Sequence, residues 1–233
     1  MAHEDFNVAE LAAYLHLTPQ QVERLANREK LPGRKVGGSW RFARAEIHHW
    51  MEDQLGLVDD GELARMEANL QRTESVAGPV VITELLRVEA ISTPLDGRTK
   101  GSVIRSMTEL AADVGFLWDP TEMAAAVQKR EELHSTAIDN GVAFLHPRRP
   151  MPNIMAEGFL ALGVSRQGIP FGGKHLTDLF FLIGSVDDRS HLRTLARLSR
   201  FVTDIALLDS IRQAPDSPTI HDLIRTAETI LDE

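Results

Sequence analysis

Three stretches, Val142–Leu145, Phe159–Val164 and Leu179–Ile183, are near-continuous runs of apolar residues. Such runs suit strands covered on both faces, because a strand with one wet side alternates instead. None is long enough to cross a bilayer. Helical spacing surrounds them. Val103, Ile104, Met107, Leu110 and Ala111 give one apolar face, Ala124–Arg130 a second helix, and His191 through Ile205 carries Leu192, Leu195, Leu198, Val202 and Ile205 at helical intervals. Ile220, Leu223 and Ile230 predict a terminal helix. Strands separated by helices imply an α/β fold, a layered sheet with helices on both faces, over residues 79–233.

The N-terminal fifth reads differently. Asn7 followed by Glu10, and Thr18 followed by Gln21, have capping-box spacing, and Pro19 holds the favoured first helical position. Val8, Leu11 and Leu15 form one apolar stripe; Val22, Leu25 and Ala26 form another. Only His16-Leu17 separates the first helix from the second cap, which predicts a helix-turn-helix. Arg34–Phe42 then reads as a Gly37-Gly38 hairpin between basic and β-prone residues. A short helix with Ile47, Trp50 and Met51 closes a small core. The expected organisation is a winged helix-turn-helix domain over 1–55, a partly helical linker over 56–78, and the α/β domain over 79–233. In the linker, Leu63, Met66 and Leu70 form a stripe that either pairs two chains into a homodimer or packs on its own domain.

The charge is unevenly distributed. Residues 1–52 are formally neutral, with seven basic and seven acidic side chains, while residues 53–233 carry the whole net charge of −9. Lys30 to Ala45 nevertheless holds five basic residues and no acid. An acidic body with one basic stripe points to an anionic partner at that stripe. Gln20, Gln21, Arg24, Asn27 and Arg28 fall on the exposed side of the second helix, suited to base edges and phosphates. Arg34, Lys35 and Arg41 on the hairpin suit the DNA backbone. Val8, Leu11, Leu15, Leu31-Pro32, Val36-Gly37, Arg41-Phe42 and Trp50 occupy the pattern positions of excisionase/MerR-like (helix-turn-helix type 17-like) DNA-binding domains, which this segment resembles.

In the second domain, Ser135-Thr136-Ala137-Ile138-Asp139-Asn140-Gly141-Val142-Ala143-Phe144-Leu145-His146 leads from a polar turn through a short strand to a histidine. The run resembles the active-site segment of the fructose/mannitol/nitrogen-regulatory IIA domains (EIIA type 2) of the bacterial phosphotransferase system, approximately S-T-G-I-G-N-G-[IV]-A-[IV]-P-H. The resemblance extends over most of residues 79–233 and implies a three-layer sandwich built on a mixed sheet. It also implies that His146 is the phosphoacceptor, with Arg130 and His191 as its active-site partners. A neutral His146 nitrogen attacks phosphorus through a loose transition state, whose equatorial oxygens need donors in place. Arg130, His191 and groups at Asn140 and Gly141 are expected to supply them. Ala137 and Asp139 replace the family's glycines, Leu145 replaces its proline, and Pro147 removes the N–H just after the histidine. Arg148 and Arg149 are expected to offset the added negative charge and the missing donor by binding phosphate.

Together these features imply a bacterial regulator that couples a DNA-binding winged helix to a IIA-like domain. The histidine phosphocarrier protein would be the phosphate donor and DNA the second partner, with a regulatory protein or a IIB domain as further candidates. Two alternatives are a plain IIA phosphoryl-transfer component for sugar uptake and a phosphorylation-dead IIA-like interaction module. No cofactor and no metal is implied: His48 and His49 are adjacent and face different ways on a helix, and Gly168–Lys174 lacks the P-loop spacing. The chain contains no cysteine and begins without the basic-then-apolar pattern of a signal peptide, so a cytoplasmic protein is expected.

Overall fold

The computed structural model describes residues 5–15, 17–44, 46–47, 50–51, 80–172 and 175–231. The chain divides into two compact units, Met1–Gly78 and Pro79–Glu233. The stripe Leu63, Met66, Leu70, the linker around it, and His48-His49 lie outside the described residues.

In the first unit, β1 (Asp5–Phe6) leads into α1 (Val8–Leu15) and α2 (Pro19–Asn27), followed by the hairpin β2 (Arg34–Val36) and β3 (Ser39–Ala43). Both capping boxes form. Asn7 and Glu10 exchange backbone-to-side-chain bonds of 2.8 and 2.9 Å, and Thr18 and Gln21 exchange bonds of 2.8 and 3.3 Å. Gly37 and Gly38 have φ of 59° and 82°, so the two-residue loop is of the primed kind that matches strand twist. The strands pair in the order β1-β3-β2. Phe6, Leu11, Val22, Ala26, Leu31, Phe42, Ile47 and Met51 form the buried core.

The second unit is built on a four-stranded sheet ordered β4-β6-β7-β5, with β4 at Leu86–Ser92, β5 at Val142–Leu145, β6 at Phe159–Ile169 and β7 at Thr177–Gly184. The sheet is mixed: β4 pairs β6 and β5 pairs β7 in parallel, while β6 and β7 run antiparallel. The helices are α3 (Ile82–Leu85), α4 (Lys100–Asp113), α5 (Pro120–Leu133), α6 (Asp188–Phe201), α7 (Ile205–Gln213) and α8 (Ser217–Leu231). The three apolar runs of the sequence are buried along β5, β6 and β7, as expected for strands covered on both sides. Phe159 stacks on Phe116 at 4.9 Å, and a Cβ on Gly163 would meet Met107 of α4, so this face of β6 carries the α4–α5 pair. The other helices α6, α7 and α8 pack on β7, β6 and β4 respectively. Among the described residues no helix is long and apolar enough to cross a membrane.

The structure corrects three readings of helix and strand. The helix expected over His191–Ile205 ends at Phe201, and a new one starts at Ile205 because Asp204 caps it by accepting from Leu207 N at 3.0 Å. The strand β4, with its mixed apolar and charged pattern, was not expected at all. In α8 the buried stripe is Ile220, Ile224 and Glu228, while Ile230 is 66% exposed. Glu228 is buried because its carboxylate caps α3, accepting from Ile82 N, from Thr83 N at 3.0 Å and from Thr83 Oγ1 at 2.7 Å. Replacing it strands the buried N–H of Ile82 and the part-buried N–H of Thr83, so Glu228→Ala is expected to destabilise the second unit by about 2 kcal/mol, read as a lowered denaturant midpoint with an unchanged slope.

Candidate functional site

Strands β5 and β7 run in the same direction, with Leu145 opposite Leu182. The residues that follow them therefore emerge at one end of the sheet. His146 comes directly after β5, and His191 sits in the first turn of α6, whose N-cap Asp187 accepts from Arg189 N and Ser190 N, both at 2.9 Å. The two imidazoles, 45 positions apart in sequence, have ring centroids 4.9 Å apart and planes inclined at 51°. Both are buried, His146 at 2% exposure and His191 at 6%. His146 Nδ1 lies 2.9 Å from the carbonyl oxygen of Phe144. A carbonyl only accepts, so Nδ1 carries a proton, and in the neutral ring Nε2 is then the nitrogen with the lone pair. His191 Nδ1 lies 3.4 Å from Ser185 Oγ.

Arg130 stands in the last turn of α5, buried at 3% exposure, with one guanidinium nitrogen donating to His134 O at 2.8 Å. Its neighbour Glu131 anchors the site from the outer edge of β5. The Glu131 side chain is 1% exposed, pairs with Lys100 Nζ at 2.9 Å, and accepts from Thr136 N at 2.8 Å and from the Thr136 hydroxyl. Thr136 O in turn accepts from Phe144 N at 3.3 Å, and Ala137 bridges Ala143. The residue whose carbonyl fixes His146 is thus held through Thr136 by a buried carboxylate. Sequence reasoning passed over Glu131 and Lys100. Their pairing spans 31 residues and two helices, and no local pattern announces it.

The structure does not bring Asn140 and Gly141 to the histidines. They precede β5 while His146 follows it, about 16 Å away at 3.3 Å per residue. Their donors are also engaged elsewhere: Asn140 Nδ2 with Val202 O at 2.9 Å and Gly141 N with Ile138 O at 3.3 Å. Their contacts tie the start of β5 to its surroundings. Gly141 has φ of +84°, and a Cβ there would come within 2.8 Å of the Arg212 guanidinium. Arg212 donates to Asn140 O at 2.6 Å and chelates Asp178 at 3.0–3.1 Å. Burial lowers the Arg212 pKa, but the hydrogen bonds and charge of Asp178, helped by Asp209, outweigh it and raise the pKa above its ordinary value. Arg148 and Arg149, by contrast, are exposed just beyond the buried Pro147, two and three residues after His146.

In the first unit, Gln20, Gln21, Arg24 and Asn27 of α2 and Arg28 at its C-cap are all exposed. Gln21 shares its side chain with the capping box. On the hairpin Arg34 and Arg41 are direct cross-strand partners, a like-charge pair that favours an anion between or beside them. Asp5 supplies one at 2.7 Å from Arg34. Lys35 Nζ lies 5.1 Å from the centre of the Trp40 ring.

Residues 84–227 match the family model described as "Phosphoenolpyruvate-dependent sugar phosphotransferase system, EIIA 2", and residues 6–55 match a helix-turn-helix domain model. A nitrogen regulatory protein from Bradyrhizobium diazoefficiens is 29% identical over 147 residues, spanning 61% of this chain and 94% of the relative. The fructose-specific EIIABC component of Bacillus subtilis is 26% identical over 147 residues, spanning 61% of this chain but only 23% of that larger protein. Among solved structures, the nitrogen regulatory protein IIA-Ntr from Neisseria meningitidis superposes with a TM-score of 0.56 at 17% identity, covering 62% of this chain and 99% of that one. IIA mannitol from Escherichia coli gives 0.54 at 18% identity, covering 59% and 97%. These structural likenesses establish the fold.

The Lys100–Glu131 pair generates a test of the site's support. Lys100→Ala leaves a buried carboxylate without its countercharge and is expected to cost about 3 kcal/mol. Adding Glu131→Gln to that variant removes the stranded charge, so the double variant should recover at least about 1 kcal/mol in urea unfolding.

Proposed function

Because the chain belongs to the EIIA 2 family of the phosphoenolpyruvate-dependent sugar phosphotransferase system, we propose that His146 accepts a phosphoryl group on Nε2 from the histidine phosphocarrier protein, in a cytoplasmic protein whose helix-turn-helix unit binds DNA. The observation that carries the reading is the His146 ring itself. Its Nδ1 is tied to the Phe144 carbonyl, its Nε2 is left as the basic nitrogen, and a second imidazole stands 4.9 Å away.

In the transfer, the N–P bond of the donor's phosphohistidine breaks and its electron pair stays with the donor imidazole. The lone pair of His146 Nε2 forms the new N–P bond. If the donor ring enters protonated, it leaves as neutral imidazole, and His146 becomes a phosphoimidazolium whose Nδ1–H stays on the Phe144 oxygen. No proton has to change hands, and the carbonyl dipole stabilises the positive charge that grows on the ring. His191, and Arg130, Arg148 and Arg149 as cations, are the groups we assign to the equatorial oxygens.

On the first unit, we assign Arg24, Asn27, Arg28, Gln20 and Gln21 to the DNA surface of α2, and Arg34, Lys35 and Arg41 to the wing. The pairing of a phosphoacceptor unit with a DNA-binding one makes the chain a regulator rather than a link in sugar uptake, since a plain transport component gains nothing from DNA contacts.

Two measurements check the proposal. Incubation with phosphoenolpyruvate and the general phosphocarrier enzymes should add one acid-labile phosphate, seen by intact mass, and His146→Ala should abolish it. An unlabelled wild type under conditions that label a standard IIA domain would leave an interaction module instead. Separately, Arg24→Ala with Arg41→Ala should weaken DNA binding at least about tenfold and flatten its salt dependence. Equal binding by the wild type and this variant would remove the DNA assignment.

A further inference from the structure

We infer that Ser185 is a positioning residue for this site: its hydroxyl donates to His191 Nδ1 and thereby presents His191 Nε2 as an N–H donor towards the group carried by His146. Ser185 directly follows β7 and is 2% exposed. Its carbonyl accepts from Met151 N at 3.3 Å, which pins it to the segment that follows His146. The hydrogen-bond partner of its hydroxyl among the described residues is His191 Nδ1, at 3.4 Å.

Two arrangements fit that contact. If Nδ1 carried the proton and donated to Ser185, the serine proton would be buried without an acceptor, which folded proteins avoid. If Ser185 donates to a bare Nδ1, both groups are satisfied and the proton of the neutral ring sits on Nε2. The second arrangement follows. The two histidines then hold opposite tautomers. His146, fixed by a carbonyl, has a bare Nε2; His191, fixed by a hydroxyl, has a protonated one. One ring is set to attack phosphorus and the other to hold its oxygens. A carbonyl at position 185's contact would have reversed the second ring, because it cannot donate.

The part of this inference that concerns transfer rests on His146 being the phosphoacceptor; the tautomer does not, and the test separates them. Nitrogen-15 NMR of the ring nitrogens in the unphosphorylated full chain should show His191 with Nδ1 unprotonated and accepting a hydrogen bond, and Nε2 protonated. Ser185→Ala should move the Nδ1 resonance towards that of a nitrogen accepting no hydrogen bond. Transfer from the phosphocarrier protein to Ser185→Ala should slow about tenfold at saturating donor, with half-saturation unchanged. In a His191→Ala background the same substitution should have no further effect, because Ser185 acts only through that ring. A protonated His191 Nδ1 in the wild type overturns the assignment. Equal slowing with and without His191 overturns it too, since a purely structural contribution would persist in both backgrounds. A wild type that takes no phosphate removes the role in transfer and the phosphoacceptor reading together, while the NMR result still decides the tautomer.

Discussion

The parallel pairing of β5 with β7 is the constraint on which the site depends. Two strands that run the same way and are in register end at the same edge of a sheet, so whatever follows them meets there. Antiparallel pairing would have sent His146 and Ser185 to opposite ends. Parallel neighbours require a long crossover, here the hairpin partner β6 and the loops that flank it, and both must be covered on each face. This is why the sequence around the site is so apolar. It is also why both imidazoles are nearly dry, and a dry site strengthens every hydrogen bond aimed at a developing charge.

Dryness has a cost that the surrounding residues offset. Buried polar groups must be partnered, and each partner removes a degree of freedom from the histidines. The Phe144 carbonyl fixes one ring, and the Ser185 hydroxyl the other. Behind Phe144 stands Thr136, and behind Thr136 the Glu131–Lys100 pair. An ion pair at this depth adds little net stability by itself. Its use is geometric, since it holds the segment that bridges the outer edge of β5, where no further named strand pairs among the described residues.

The parts of the fold that were legible in the sequence are those with a local physical signature. Uniform apolar runs announced three buried strands, and two reciprocal capping boxes and a Gly-Gly turn announced the first unit. The family resemblance supplied His146 and His191. What escaped has non-local causes. The strand β4, with its mixed apolar and charged pattern, packs against α8, a contact that helical spacing alone does not reveal. Helical periodicity ran through Val202 to Ile205 without interruption, and only the capping preference of Asp204 marks the break. Glu228 was hidden because a carboxylate on an apolar stripe makes sense only once the start of α3 is seen beside it. Asn140 and Gly141 belong to the same signature as His146, yet a strand stretches that signature so that its two ends cannot serve one ligand. The two buried histidines stand at one end of this strand, and the contacts of Asn140 and Gly141 with Val202 and Arg212 hold the other.

Charge also limits how two such units could communicate. Transfer of a phosphoryl group with no change of protons adds a single negative charge to a segment, residues 53–233, that already carries −9. At physiological ionic strength charges are screened beyond about 8 Å. A diffuse repulsion between a phosphorylated body and DNA would therefore scarcely differ from the repulsion already present. For phosphate on His146 to matter to a DNA-bound wing, it must act by contact, through groups that touch the phosphoryl oxygens and then something else. Arg148 and Arg149 are exposed and directly downstream of the proposed phosphoacceptor His146. Drawn to a phosphate on His146, these exposed side chains would be withdrawn from any acidic partner. A signal carried in this way depends on which anion these two arginines hold, and not on the net charge of the chain.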